Sequence, residues 1–262
     1  TAGTSSQVRL NDYINFKLVG EDRDTCIIDF NDPSGAPIGD IFYGMIRISG
    51  AVTDGVEICN LTFKNCSSSP QWGCGPICVT GAPNNVEIHD CYYENTASSF
   101  ICWGGFNVAF HDNVIVSTPT YAQQYVAIRV RTQYFSPANG DNTYIYNNTI
   151  YNTGHGISYD GSNPYNQFIF NNIVLGSNIG FPGSAPTSPQ VMIENNIAYN
   201  CNTNFNYTPP TSNLEVDPLL VNPAGGDFHQ QPGSPCLDAG NPLPLAYMAN
   251  DYFGGARVVD GD

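Results

Sequence analysis

The chain repeats itself, and the repeat limits its fold more than any other feature. Six segments align without gaps: VEICNLTFKNC from Val56, VEIHDCYYENT from Val86, VAFHDNVIVST from Val108, TYIYNNTIYNT from Thr143, QFIFNNIVLGS from Gln167 and VMIENNIAYNC from Val191. Their starts lie 30, 22, 35, 24 and 24 residues apart. The third position is always apolar (Ile58, Ile88, Phe110, Ile145, Ile169, Ile193), and so is the eighth (Phe63, Tyr93, Ile115, Ile150, Val174, Ala198). A period of this length carrying short strands is what a β-solenoid needs, because one coil cannot bury its apolar face alone. Stacked coils lie about 4.8 Å apart. At the sixth position, Asn113, Asn148, Asn172 and Asn196 are expected to point inward and bond along the stack, satisfying backbone groups that a buried bend would orphan. The fifth position (Asn60, Asp90, Asp112, Asn147, Asn171, Asn195) is expected to face outward or cap the bend.

A second alternating piece follows the repeat segments: ICVTG from Ile77, FICWGG from Phe100, AIRVRTQ from Ala127, GISYDG from Gly156 and NIGF from Asn178. These read as the next strand of each coil. Insertions of differing length separate the pieces, and such loops commonly build the binding face of a solenoid. The expected fold is all-β: a right-handed parallel β-helix (solenoid) over residues 1–216 with an Asn ladder, closed by a C-terminal cap over 217–262.

Composition narrows the function. Eight Lys and Arg stand against 23 Asp and Glu, a net charge of −15, and only 12% of residues are charged, while Asn reaches 30. Eight cations cannot track a phosphate backbone, so nucleic acid is not the expected partner. No apolar run approaches the eighteen or so residues of a membrane span. The TAGTSS start has neither a basic nor an apolar leader, which fits a mature form or a fragment. Nine cysteines point to disulfides in an oxidising compartment, and the odd count leaves at least one thiol free or paired between chains. Cys66 and Cys201 share a repeat column five coils apart, too far to bridge; Cys59 and Cys91, one coil apart, are close enough. Sequons at Asn60, Asn65, Asn147 and Asn206 suit a secreted glycoprotein. The expected location is secreted or cell-surface.

The C-terminal stretch DPLLVNPAGGDFHQQPGSPCLDAGNP from Asp217, followed by DYFGGARVVDGD from Asp251, carries Gly233, Ser234, Pro235, Asp238 and Gly240, then Asp251, Gly254 and Arg257. With the repeat, this resembles the secreted right-handed parallel β-helix proteins of the pectate-lyase-like superfamily, many of which end in a similar segment. The spacing from Gly254 to Arg257 is one residue longer than the commonest form, and the chain stops before that family's final aromatic sequence. The resemblance implies architecture. The superfamily holds lyases, hydrolases, epimerases, adhesins and structural proteins, so it does not imply one reaction.

Several constellations offer chemistry. GHGIS at Gly154–Ser158 resembles the Gly-His-Gly element of polygalacturonase-type hydrolases. The paired acids such an enzyme needs are missing, because the chain has no Asp-Asp dipeptide. Arg129 and Arg131 alternate on one strand and project from one sheet face, with Ser158 expected beside Arg129 and Asp160 beside Arg131. Paired arginines bind a sugar-acid carboxylate bidentately, and in uronate lyases an Arg or Lys abstracts the C5 proton. Arg129, Arg131, His155 and Asp160 are therefore the catalytic candidates, and Tyr125, Tyr134, Trp72 and Trp103 the substrate-binding ones. The bland alternative is a surface ion pair between Arg131 and Asp160.

His89-Asp90 and His111-Asp112 recur in adjacent coils, which places the imidazoles about 5 Å apart as a solvated stack outside the solenoid. No metal site is expected: a third ligand is needed, and of the candidates Glu194 shares the column but lies three coils later, while Cys59 lies one coil earlier; calcium on Asp and Asn oxygens is the one cofactor class left open. Two functions follow as expectations. The first is an extracellular protein that binds or modifies a polysaccharide or cell-surface glycan, an acidic uronan above all, by lyase chemistry if it is an enzyme. The alternative is a self-assembling structural protein, such as a surface-layer, adhesin or filament subunit.

Overall fold

The computed structural model describes residues 8–30, 46–66, 75–118, 126–130, 142–159 and 166–241. Three parallel sheets of eight, seven and seven strands run side by side, and each coil contributes one strand to each sheet in turn. The first coil supplies Val8–Asn11, Lys17–Val19 and Ile27–Asp29; the second supplies Ile46–Ser49, Asp54–Cys59 and Thr62–Cys66. Seven coils stack in this way, and Thr203–Phe205 adds an eighth strand to the first sheet. The fold is a parallel β-helix, as the repeat predicts.

Register is set by the apolar columns. Along the second sheet Leu18, Ile58, Ile88, Phe110, Ile145, Ile169 and Ile193 are successive partners. Along the third sheet Ile28, Phe63, Tyr93, Ile115, Ile150, Val174 and Ala198 are partners. From Ile58 and Phe63 onward every member of both columns is at most 1% exposed. A one-residue slip would turn each set to solvent, at about 1.5–3 kcal/mol per large side chain, so the pattern tolerates a single register.

The bends explain the asparagines. All six fifth-position residues, Asn60 to Asn195, have φ between 51 and 56°. Asn and Asp tolerate this left-handed geometry better than other residues with a β-carbon. A second bend falls in or just past the last residues of the third-sheet strand, at Asn65, Asn95, Asn152, Gly176 and Asn200, with φ of 53–68°. Between the two bends the sixth position turns inward. There each Asn Oδ1 accepts from both the backbone N–H and the Nδ2 of the asparagine one coil earlier, from Asn113 through Asn148 and Asn172 to Asn196, at 2.9–3.1 Å. Each Nδ2 also donates to two backbone carbonyls; for Asn172 these belong to Ile145 and Phe170.

The ladder extends past both ends of the predicted run. Asn213, only 17 residues after Asn196, closes it at one end. At the other, the Cys91 N–H donates to Asn113 Oδ1, and the Cys91 thiol occupies the ladder column, donating to the carbonyls of His89 and Ile58. Burial pushes that thiol's pKa up, which keeps its proton in place.

The eight described cysteines are all free thiols, which corrects the expectation of disulfides among them; Cys74 lies outside the described residues. For the expected pair the reason is the face and not the coil spacing: Cys91 points into the core, whereas Cys59 points outward beside Glu57 and His89. After the last coil, a hairpin of Leu220–Asn222 and Asp227–Gln230 lays Leu220 and Phe228 on the outer side of the third sheet, against Val114 and Leu175. The segment continues back along the fifth column, where Asn171 bonds both N–H and C=O of Asn241 and Asn195 bonds the carbonyl of Ala239. Ser234 fixes the Gly-Ser-Pro turn through the Pro218 carbonyl at 2.6 Å. Asp251, Gly254 and Arg257 lie outside the described residues.

Replacing the fully buried Asn172 by Leu removes the acceptor for Asn148 and the donor to Ile145 and Phe170. The expected cost is about 1–3 kcal/mol, read as a lower urea midpoint. The exposed Asn206→Leu is the control and should leave the midpoint unchanged. Equal midpoints for Asn172→Leu and wild type would contradict the ladder's role.

Candidate functional site

Outward positions of the first sheet form one register row: Arg9, Arg47, Cys78, Ile101, Arg129 and Ser158. Its strands alternate because Ile77 and Val79, then Phe100 and Cys102, then Ile128 and Val130 fill the core. The neighbour relation expected of Arg129 and Ser158 is present. Arg9 is exposed, Arg47 and Arg129 are half-buried, and Cys78 and Ile101 between them are fully buried. Three of the chain's eight cations thus share one row.

His155 lies at the head of the next strand, opposite Val126. It is half-buried, and burial together with the nearby Arg129 guanidinium lowers its pKa below the ordinary 6.5. Trp103 is half-buried just past the strand Phe100–Cys102, its backbone N–H donating to the Val79 carbonyl at 2.9 Å. Arg131, Asp160, Tyr125, Tyr134 and Trp72 lie outside the described residues, as does the expected pair of Arg131 with Asp160. Of the sequon asparagines, Asn206 is exposed; Asn60, Asn65 and Asn147 are half-buried, and Asn65 donates to Asp29 at 3.1 Å.

The second sheet carries a different cluster on its outward face. His89 and His111 stack with ring centroids 5.0 Å apart and planes 3° from parallel, matching the expected spacing. The column continues through Tyr146, 4.6 Å from His111, to Phe170. The stack is solvated at one member only, which corrects the expectation for the other: His111 is 3% exposed, while His89 keeps 19% of its side-chain surface exposed. Its imidazole is held at both nitrogens, Nδ1 to Asp112 at 2.9 Å and Nε2 to Glu87 at 3.0 Å. Aromatic neighbours on the stack and carboxylates at the ring edges replace the water such a pair would otherwise need.

One coil earlier the same geometry is looser. His89 Nδ1 meets Asp90 at 2.8 Å, but Nε2 stands 3.5 Å from Glu57 Oε1. Cys59, the strand neighbour of His89, sits 3% exposed with its thiol 3.7 Å from the same Oε1. Lys17 engages the other oxygen of Glu57. Burial alone would lower the pKa of His89, but the bonds to Asp90 and Cys59 outweigh it and push it up to about 10. Hydrogen bonds from Lys17 to Glu57 and from His111 to Glu87 hold both carboxyls below the usual range against burial.

Reading the sequence along the chain misses Glu57. It is two residues from Cys59 on the same strand, while its imidazole partner lies a full coil away; the signal was the shared second column of Glu57 and Glu87. Among the described residues no helix is long and apolar enough to cross a membrane. Comparison of the chain with protein-family models, curated proteins and solved structures found no match in any of the three.

The lowered pKa of His155 sets the direction of its pH dependence. The unfolded chain binds this proton more tightly, so stability is lost as pH falls below 6.5 through the folded value. An NMR titration should give His155 a midpoint below 6.5, rising in Arg129→Gln as the cationic neighbour is removed. A wild-type midpoint at or above 6.5 would contradict the placement.

Proposed function

We propose that the protein is an extracellular polysaccharide-binding protein that holds a linear acidic glycan at the arginines of the first sheet's outer row and modifies it beside Arg129. The single observation that carries this reading is the register row that gathers Arg9, Arg47 and Arg129 in a chain of net charge −15. A guanidinium takes a carboxylate through two parallel bonds, and the row sets two such donors in adjacent coils, Arg9 and Arg47, with Arg129 beyond the buried Cys78 and Ile101. The surrounding negative charge repels a polyanion elsewhere, which confines binding to the row and makes it weaken with salt.

The chemistry fitting this row is β-elimination. Arg129 neutralises the uronate carboxylate and so acidifies the adjacent C5–H. His155, kept neutral by burial and by Arg129, accepts that proton. The electrons of the C–H bond form the C4–C5 double bond as the C4–O bond to the leaving glycan breaks, and that oxygen takes a proton from solvent water.

A second reading is a self-assembling structural subunit. It is favoured by Val8, Tyr13, Ile14, Val19 and Ile27, which are 47–67% exposed and all belong to the first coil, whose strands are edges of their sheets. Exposed apolar edges invite pairing with another chain.

Calorimetric titration with polygalacturonate and alginate, combined with absorbance of the unsaturated product, separates the two. The glycan reading expects binding that falls about 10- to 100-fold in Arg129→Ala with little change in melting, corresponding to roughly 1.5–3 kcal/mol for a charge-assisted bond. His155→Gln should bind but form no product. Absence of binding by the wild type, with concentration-dependent assembly visible by electron microscopy, would overturn it in favour of the structural reading.

A further inference from the structure

The looser of the two histidine clusters has the donor set and the spacing of a metal site. Glu57 Oε1, Cys59 Sγ and a His89 ring nitrogen all lie within 4.8 Å of one another, and theirs is the only such grouping among the described residues. Two edges of the triangle are resolved in detail: Nε2 to Oε1 is 3.5 Å and Sγ to Oε1 is 3.7 Å. A tetrahedral zinc ion with ordinary bond lengths to N, O and S separates those same atom pairs by about 3.4 and 3.6 Å. The geometry assigns to Glu57, Cys59 and His89 a binding site for a borderline-soft divalent cation of the zinc class, with three protein donors.

Three features of the surroundings favour this assignment. Asp90 holds His89 Nδ1 at 2.8 Å, the outer carboxylate that fixes the ring orientation of metal-binding histidines and turns Nε2 toward the site. Lys17 engages the other Glu57 oxygen, so the carboxylate offers Oε1 as a single donor. The adjacent coil provides an internal comparison. There the glutamate and histidine recur, but His89 stands where Cys59 stood, and Glu87 closes directly onto His111 at 3.0 Å with no space for an ion. The gap persists only where a thiol completes the set.

The donors also select the ion. Thiolate and imidazole disfavour calcium and magnesium, which take oxygen, and suit zinc or cobalt. Cys59 is buried while His89 and Glu57 keep 19% and 25% of their side-chain surface exposed, so a small ion can enter from the His89 side. Glu57 and Cys59 belong to one coil and His89 to the next, so a bound ion would clamp two coils together. This inference is independent of the glycan reading, since it concerns a different sheet.

Titration of the full, thiol-reduced chain with cobalt(II) alone is the test. The expected result is one equivalent bound, with a near-ultraviolet thiolate-to-cobalt band and tetrahedral visible absorption. Both should disappear in Cys59→Ser and persist in Cys201→Ser. His89→Gln and Glu57→Gln should weaken binding at least about tenfold, and Asp90→Asn by about 10- to 100-fold through loss of the outer carboxylate. Zinc should raise the melting temperature of wild type but not of Cys59→Ser. Absence of the band in wild type, or its survival in Cys59→Ser, would overturn the assignment. Should Cys59→Ser fail to fold, unchanged cobalt affinity in both His89→Gln and Glu57→Gln would overturn it equally.

Discussion

A chain that turns a tight corner inside its own core must bury backbone N–H and C=O groups that no sheet can pair, and an unpaired buried group costs about 1–3 kcal/mol. In this protein the corner recurs in coil after coil, so the cost would accumulate along the stack. The inward asparagine removes it. One carboxamide accepts from the coil before it and donates to two carbonyls, and five asparagines from Asn113 to Asn213 connect the corners into one line. The apolar columns on either side then supply burial without having to satisfy anything polar. The left-handed residue just before the ladder explains why Asn or Asp also fills the fifth position: the bend needs a positive φ as well as a partner for the next residue.

The inward columns were legible in the sequence because each such position has a narrow choice. Ile, Phe and Val recur where nothing but core is available, and Asn recurs where only a carboxamide both donates and accepts. Other elements were not legible for reasons of geometry. Asn213 closes the ladder at a spacing of 17 residues, outside the repeat period. Cys91 replaces an asparagine with a thiol, which a column of identical residues does not announce. Disulfides were expected from cysteine number, yet pairing depends on which face each side chain takes, and Cys59 and Cys91 take opposite faces. The burial of His111 depends on carboxylates and aromatic rings contributed by other coils.

The two candidate sites follow from the same lattice. A parallel β-helix brings residues about 4.8 Å apart in space when they are a full coil apart in sequence. Arg9, Arg47 and Arg129 become one row in this way, and Glu57, Cys59 and His89 one cluster. Neither grouping has a linear motif, and spacing rules read along a chain do not apply to either. Part of each was still visible: Arg129 with Ser158 from the alternation of their strands, and the histidine pair from its repeated column. The carboxylate that completes the second cluster required the register itself.

The asparagine line is a continuous buried element, and hydrogen exchange of side-chain amides reads this directly. With the protein selectively labelled at asparagine, the Nδ2 protons of Asn113, Asn148 and Asn172 should exchange as slowly as the backbone amides of the strands beside them, because both open only when the coils separate. The carboxamide of exposed Asn206 should exchange within the dead time. Exchange of the ladder carboxamides at the rate of Asn206, with the strand amides still protected, would show that the corners hold without them and would contradict the account.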